Sequence, residues 1–377
     1  NNRKVSSKFL VFQRYIAQQL ATPDSLRTGS EINGLCRLAW YDEVFRDPLK
    51  APEIAEEFTQ SLHKKATADD GALIGVLETA REKMDAGRRQ FEPSIEIPAS
   101  PQDAIAKVEQ ILVDTQASFT RAFAPLNDNE MSMLRTNLAR VFVTEAKNGH
   151  TLPNRGTAST LCRLLGQMDR AALYDAADSI ARLDDATLLD QLAQLDGAAE
   201  PAEKHPAVRG PVLQRISTPG GDILIGGRGA NTYNIDELSG VAALIDLGGD
   251  DVYLDGVVAP VRPVLAIIDL AGNDHYKTEK TGAQAGAVLG VSVLIDRDGN
   301  DLYQAKDVAQ GSAVGGVGML VDHAGDDTYV GFRRAQAQAL GGVGILLDHA
   351  GNDQYHAALW AQGLGNPLGF ALLEDRK

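Results

Sequence analysis

Residues 292–303 read Ser-Val-Leu-Ile-Asp-Arg-Asp-Gly-Asn-Asp-Leu-Tyr, and this pattern returns throughout the last third of the chain. Aligned on its first Asp, it recurs as AALIDLGGDDVY ending at Tyr253 and LAIIDLAGNDHY ending at Tyr276. Two further copies, GMLVDHAGDDTY and GILLDHAGNDQY, end at Tyr329 and Tyr355. A degenerate copy, DILIGGRGANTY, ends at Tyr233, so the repeat tyrosines are spaced by 20, 23, 27, 26 and 26 residues. Recurrence at such a period marks a solenoid, in which each copy builds one turn and buries itself against its neighbours. A final copy carries Glu374 at the expected Asp position, as an atypical terminal cap would.

Strand side chains alternate with period two, so each copy divides into two stripes. Ile245, Ile268, Ile295, Val321 and Leu347 precede the repeat Asp by one step, and Ala243, Ala266, Val293, Met319 and Ile345 by three. These are expected to stack in the solenoid core. The opposite stripe, Leu244, Ile267, Leu294, Leu320 and Leu346, is also apolar. It predicts a greasy outer face for docking the chain's own helices, a second copy or a protein partner. A column of Gln284, Gln310, Gln336 and Gln362 predicts an amide ladder, with a sugar-binding row as the alternative.

The composition changes upstream. Residues 1–90 read as a helical block in which Phe9, Leu10, Phe12, Tyr15, Ile16 and Leu20 recur at helical spacing. A proline-rich linker spans 91–102, a second helical block 103–196, and a linker 197–211 leads into a repeat domain at 212–377. The expected fold class is therefore α+β and multidomain: an α-helical N-terminal region followed by a right-handed parallel β-helix of about six or seven rungs.

The chain has 377 residues and a net charge of −15. Residues 222–377 hold 21 acidic and 10 basic side chains, so they carry −11 of that total. So acidic a domain is a poor partner for nucleic acid or an anionic membrane and a better one for cations. No apolar run is long enough to span a bilayer. Cys36 and Cys162, outside any CxxC pattern, argue against a disulfide framework and a cysteine zinc site. The opening Asn1-Asn2-Arg3-Lys4, without Met, suits a processed or trimmed N-terminus.

The turn D-x-[AGD]-G-[ND]-D-x-Y pairs acids five times: Asp246 with Asp251, Asp269 with Asp274, Asp296 with Asp301, Asp322 with Asp327, and Asp348 with Asp353. Its Gly-Asn-Asp-x-Tyr part, at residues 272–276, 299–303 and 351–355, resembles the second half of the nonapeptide of RTX calcium-binding β-rolls. The resemblance implies calcium held between rungs by Asp251, Asp274, Asp301, Asp327 and Asp353. The turns depart from that family where Asp-x replaces the opening Gly-Gly and Tyr the small aliphatic residue. A second physical reading needs no metal, because each Asp can accept N–H groups of its own turn. The tyrosines are expected to form a buried ladder, with glycan stacking as the alternative. His323 and His349 stand beside Asp322 and Asp348, a conceivable transition-metal set, and Arg333, Arg334 and Trp360 a conceivable surface patch.

No GxSxG, P-loop, HExxH or strand-to-helix GxGxxG motif is present, and no catalytic residue is assigned. The reading is a non-enzymatic structural or protein-interaction module of a cell-surface or secreted assembly. The alternatives are a calcium-stabilised, carbohydrate-binding scaffold or adhesin, and a β-helix polysaccharide-degrading enzyme. The repeats also resemble those of large bacterial repeat proteins, which implies an extracytoplasmic setting.

Overall fold

The computed structural model describes residues 38–68, 71–89, 97–141, 155–196 and 205–376. The stripe from Phe9 to Leu20, Cys36 and parts of both expected linkers lie outside these residues.

The helical region contains α1 (Ala39–Arg46), α2 (Ala51–Ala66), α3 (Ala72–Lys83) and α4 (Pro101–Phe123). After these come α5 (Asp128–Asn137), α6 (Arg155–Gln167), α7 (Arg170–Ala181) and α8 (Ala186–Leu192). Local chemistry sets several of the starts. Ser100 caps α4 through the Asp103 N–H ahead of Pro101, and Asn127 with Glu130 forms a reciprocal capping box on α5. Asp169 and Asp185 cap α7 and α8 in the same way. In α4, Ala104, Val108, Ile111, Leu112, Thr115 and Phe119 recur every three or four residues and form its buried face. Nearly all of α7 is buried, because it lies between α4 and the solenoid.

Beyond residue 211 the chain winds into a β-solenoid of about five turns. The six-residue strands Val241–Asp246, Val264–Asp269, Val291–Asp296, Val317–Asp322, Val343–Asp348 and Phe370–Asp375 stack in parallel to form one face. Shorter strands ending each repeat, such as His275–Lys277 and Leu302–Gln304, form a second face. Ala287–Val288, Ala313–Val314 and Ala339–Leu340 form a third. Strand Val212–Ile216 pairs antiparallel with Asp222–Gly226 at the beginning of the stack. The register sets Asp246, Asp269, Asp296, Asp322 and Asp348 side by side. It also pairs Leu347 with Glu374 and Asp348 with Asp375. Asp375, not Glu374, therefore continues the Asp column, and the expected substitution at this position does not occur.

The two apolar stripes face the opposite way from the sequence expectation. Leu244, Ile267, Leu294, Leu320 and Leu346 are enclosed inside the tube, packed with the repeat tyrosines. The other stripe, including Ile245, Ile268, Ile295, Val321 and Leu347, faces outward into a core shared with α3, α4 and α7. The repeat Asp decides the orientation. It lies two steps beyond the Leu, on the same side of the strand, and its carboxyl meets a tyrosine hydroxyl inside the tube. The chain's own helices thus cover an outward apolar face, but the Ile/Val stripe makes that face and the leucines are not an interface. Leu320→Ala should cost about 2–5 kcal/mol by cavity formation between rungs, measured by urea unfolding. A cost below about 1 kcal/mol would contradict the interior placement.

Candidate metal centre

Three side-chain ladders run along the solenoid at the corner after the six-residue strand. The outermost uses the [ND] position. Asn300 Oδ1 accepts the N–H of Asp326 at 2.7 Å, and Asp326 Oδ1 accepts that of Asn352 at 2.9 Å. Asp250 and Asn273 continue the line at 3.0 Å each. The N–H needs only an oxygen acceptor, so Asn and Asp interchange freely at this position.

The second ladder uses the second Asp of each copy. Asp274, Asp301 and Asp327 each accept, on Oδ1, the N–H of the equivalent Asp one rung earlier at 2.6 Å. Asp353 does the same for Asp327 at 2.8 Å, and Asp251 accepts from Asn231 at 2.5 Å. The bonds therefore run between rungs, where the metal-free reading placed them within one turn. Only the first Asp accepts from its own turn, Asp246 Oδ1 from the Gly248 N–H (2.8 Å) and Asp269 Oδ1 from the Ala271 N–H (2.9 Å).

The third ladder is aromatic. Tyr233, Tyr253, Tyr276, Tyr303, Tyr329 and Tyr355 stack with ring centroids 4.6–5.2 Å apart. Each hydroxyl from Tyr233 to Tyr329 donates to the first Asp of the next copy: Tyr276 to Asp296 at 2.6 Å, Tyr303 to Asp322 at 2.7 Å, Tyr329 to Asp348 at 2.9 Å. Tyr233 to Asp246 and Tyr253 to Asp269 follow the same rule. All rings up to Tyr329 are fully enclosed, so these faces are closed to glycan stacking. Burial pushes the phenols upward, with the carboxylates they face adding to the shift, and keeps them protonated donors.

Between the second and third ladders, ten carboxyl groups form a double file. The first column, Asp246, Asp269, Asp296, Asp322 and Asp348, is at most 1% exposed. None of the ion pairs among the described residues reaches any of the ten. Oxygens remain that no N–H, phenol or cationic side chain reaches: Oδ2 of Asp251, Asp274, Asp301, Asp327 and Asp353, and Oδ1 of Asp296, Asp322 and Asp348. Within each copy the two carboxyls contact each other instead. Desolvation, reinforced at most sites by neighbouring carboxylates, raises the whole file above the usual carboxylate range. Asp296 moves to about 6, Asp274 and Asp327 to about 7, Asp246 and Asp348 to about 8, and Asp301 to about 10. Paired acids this close titrate as a unit.

Each sequence-proposed ligand (Asp251, Asp274, Asp301, Asp327, Asp353) therefore stands in this file. The first column, which the resemblance did not assign, supplies the other half. Its signal was present in the alternation, because the first Asp shares a side of the strand with the enclosed leucines.

The remaining sequence features have structural uses. The Nε2 of Gln310 donates to the carbonyls of Tyr303 and Val330, and that of Gln336 to Tyr329 and His356, so these amides clip to backbone instead of forming a ladder. His323 and His349 stack outside the tube, their ring centroids 5.2 Å apart, with His323 Nε2 2.7 Å from Asp184. Asp322 and Asp348 point inward, away from them, and the conceived histidine–aspartate metal set does not assemble. The histidines instead line a cavity of ≈ 540 Å³ at the seam with the helices, together with Arg297, Arg376 and Asp184. Arg334 is buried against Asp307 and the Val141 carbonyl, which removes it from any surface patch.

No helix among the described residues is long and apolar enough to cross a membrane. No family model matches this chain, and neither a curated protein nor a solved structure shows significant similarity to it.

Proposed function

We propose that this chain is a non-enzymatic structural scaffold and protein-interaction module, a solenoid with a helical region docked along its outer apolar face, serving in a cell-surface or secreted assembly. One observation carries this reading: the repeated polar residues of the turn are spent on bonds from rung to rung. The [ND] position, the second Asp and the Tyr each reach a neighbouring copy. Repetition of this kind supports length and rigidity, whereas a catalytic cluster would break the repeat.

A second reading, calcium stabilisation, is favoured by the unmatched carboxylate oxygens. Its carbohydrate-binding arm loses the tyrosine column as a stacking platform, because those rings are enclosed. Incubating the chain with a panel of acidic and neutral polysaccharides should release no product. Reproducible product formation that persists in independent preparations would overturn the scaffold reading in favour of a β-helix enzyme.

A further inference from the structure

We propose that the interior of the solenoid binds a row of divalent cations of the calcium class, one in the gap between successive rungs, held by both Asp columns together. The inference rests on the scaffold reading, since it makes the cations part of the structure and not of a reaction.

The double file contains four places where three carboxylates converge. They are Asp246–Asp251–Asp269, Asp269–Asp274–Asp296, Asp296–Asp301–Asp322 and Asp327–Asp348–Asp353, each with one oxygen per residue within 4.8 Å of the others. The first-column Oδ2 is taken by a tyrosine hydroxyl and the second-column Oδ1 by a backbone N–H. The oxygens left over, among them Asp274 Oδ2, Asp301 Oδ2, Asp296 Oδ1 and Asp322 Oδ1, are enclosed and reach no N–H, phenol or cationic side chain. Within each copy the two carboxyls meet only each other, a contact that requires a shared proton or a cation. A buried carboxylate oxygen without a donor or counter-charge is costly, and eight of them recur here in register.

Charge and donor chemistry narrow the ligand. Each rung contributes two carboxylates, which one divalent cation neutralises. Oxygen-only ligands suit a hard ion and disfavour zinc or copper. Magnesium gives up its water reluctantly, and all of these groups except the half-buried Asp353 are almost wholly shielded from solvent.

The test uses the full chain, stripped with chelator and returned to calcium chloride. Elemental analysis after gel filtration should find more than one and up to about four calcium ions per chain, and Tm should rise by about 5 °C or more at millimolar calcium. Magnesium chloride at the same concentration should give less than half that shift. The Asp296→Asn, Asp301→Asn double variant should lose at least one ion per chain, while Asp298→Asn, exposed on the same turn, should lose none. If the double variant fails to fold, the wild-type count decides. Fewer than one calcium per chain, with Tm equal to within about 1 °C in calcium and in chelator, overturns the proposal. That result leaves the ladder-built scaffold intact, whereas polysaccharide cleavage by a calcium-loaded chain would remove the scaffold reading and leave the cation row.

Discussion

Gly325→Ala is expected to unfold the solenoid, or to cost more than about 4 kcal/mol in chemical denaturation, placing it among the severest single substitutions this chain can take. A Cβ at this position would lie 1.6 Å from the Gly299 carbonyl oxygen and 2.8 Å from its carbon. Both are backbone atoms of the preceding rung and cannot swing aside. The rungs cannot separate locally either, because the Asn300, Asp327 and Tyr ladders hold them together on both sides of the glycine. Gly272, Gly299 and Gly351 meet the same obstacle at 1.6–1.7 Å, so the glycine of G-[ND]-D is required by close approach in every gap. Gly71 provides the control: it also has a positive φ, but a Cβ there would meet nothing within 4 Å, and Gly71→Ala should cost only about 1 kcal/mol. Equal, small losses at both positions would refute this account of the turn.

The metal-free chain should lose stability as pH rises, with a drop in Tm on the order of 10 °C between pH 5 and pH 8. The buried carboxyls have folded-state values raised above the unfolded value of 3.8, to about 6 for Asp296, about 7 for Asp274 and Asp327, and about 8 for Asp246 and Asp348. Over that window the folded chain binds more protons than the unfolded chain, so the slope of unfolding free energy against pH is negative. The stabilising contribution is complete below about pH 4 and is lost as pH climbs through the folded-state values. An Asp whose folded value is depressed by a cationic partner or by N–H donors has the opposite sign. Differential scanning calorimetry in chelator at pH 5, 6.5 and 8 measures the trend directly. A flat or rising Tm would mean that the file is neither desolvated nor mutually repulsive.

The solenoid was legible because its determinants are local and repeated. Period-two alternation before each Asp and a Gly-[ND]-Asp turn after it define a strand and a corner without reference to the rest of the chain. Stacking of the tyrosines was also legible, since a ring at one place in every copy forms a column, and their enclosure was the expected reading beside an exposed glycan-stacking row. The facing of the two stripes was not. Both are apolar because both are buried, one in the tube and the other under α4 and α7, and composition cannot separate two kinds of burial. The coupling of the first Asp to a tyrosine in the previous copy decides the matter, and that contact spans 19 residues at Tyr303–Asp322. The same distance hid half of the acid file: Asp296 and Asp301 read as two ends of one turn, whereas the converging set adds Asp322 from the next rung.

Diffraction from manganese- or calcium-soaked crystals, with anomalous maps phased on the protein, tests the central claim most directly. The account predicts a line of anomalous peaks inside the solenoid, between the Asp246–Asp348 and Asp251–Asp353 columns, spaced at multiples of the rung separation of about 4.8 Å. Because the paired carboxyls already lie within hydrogen-bonding reach of each other, the maps decide: a featureless gap would contradict the account and leave protons shared between those pairs to hold the file together.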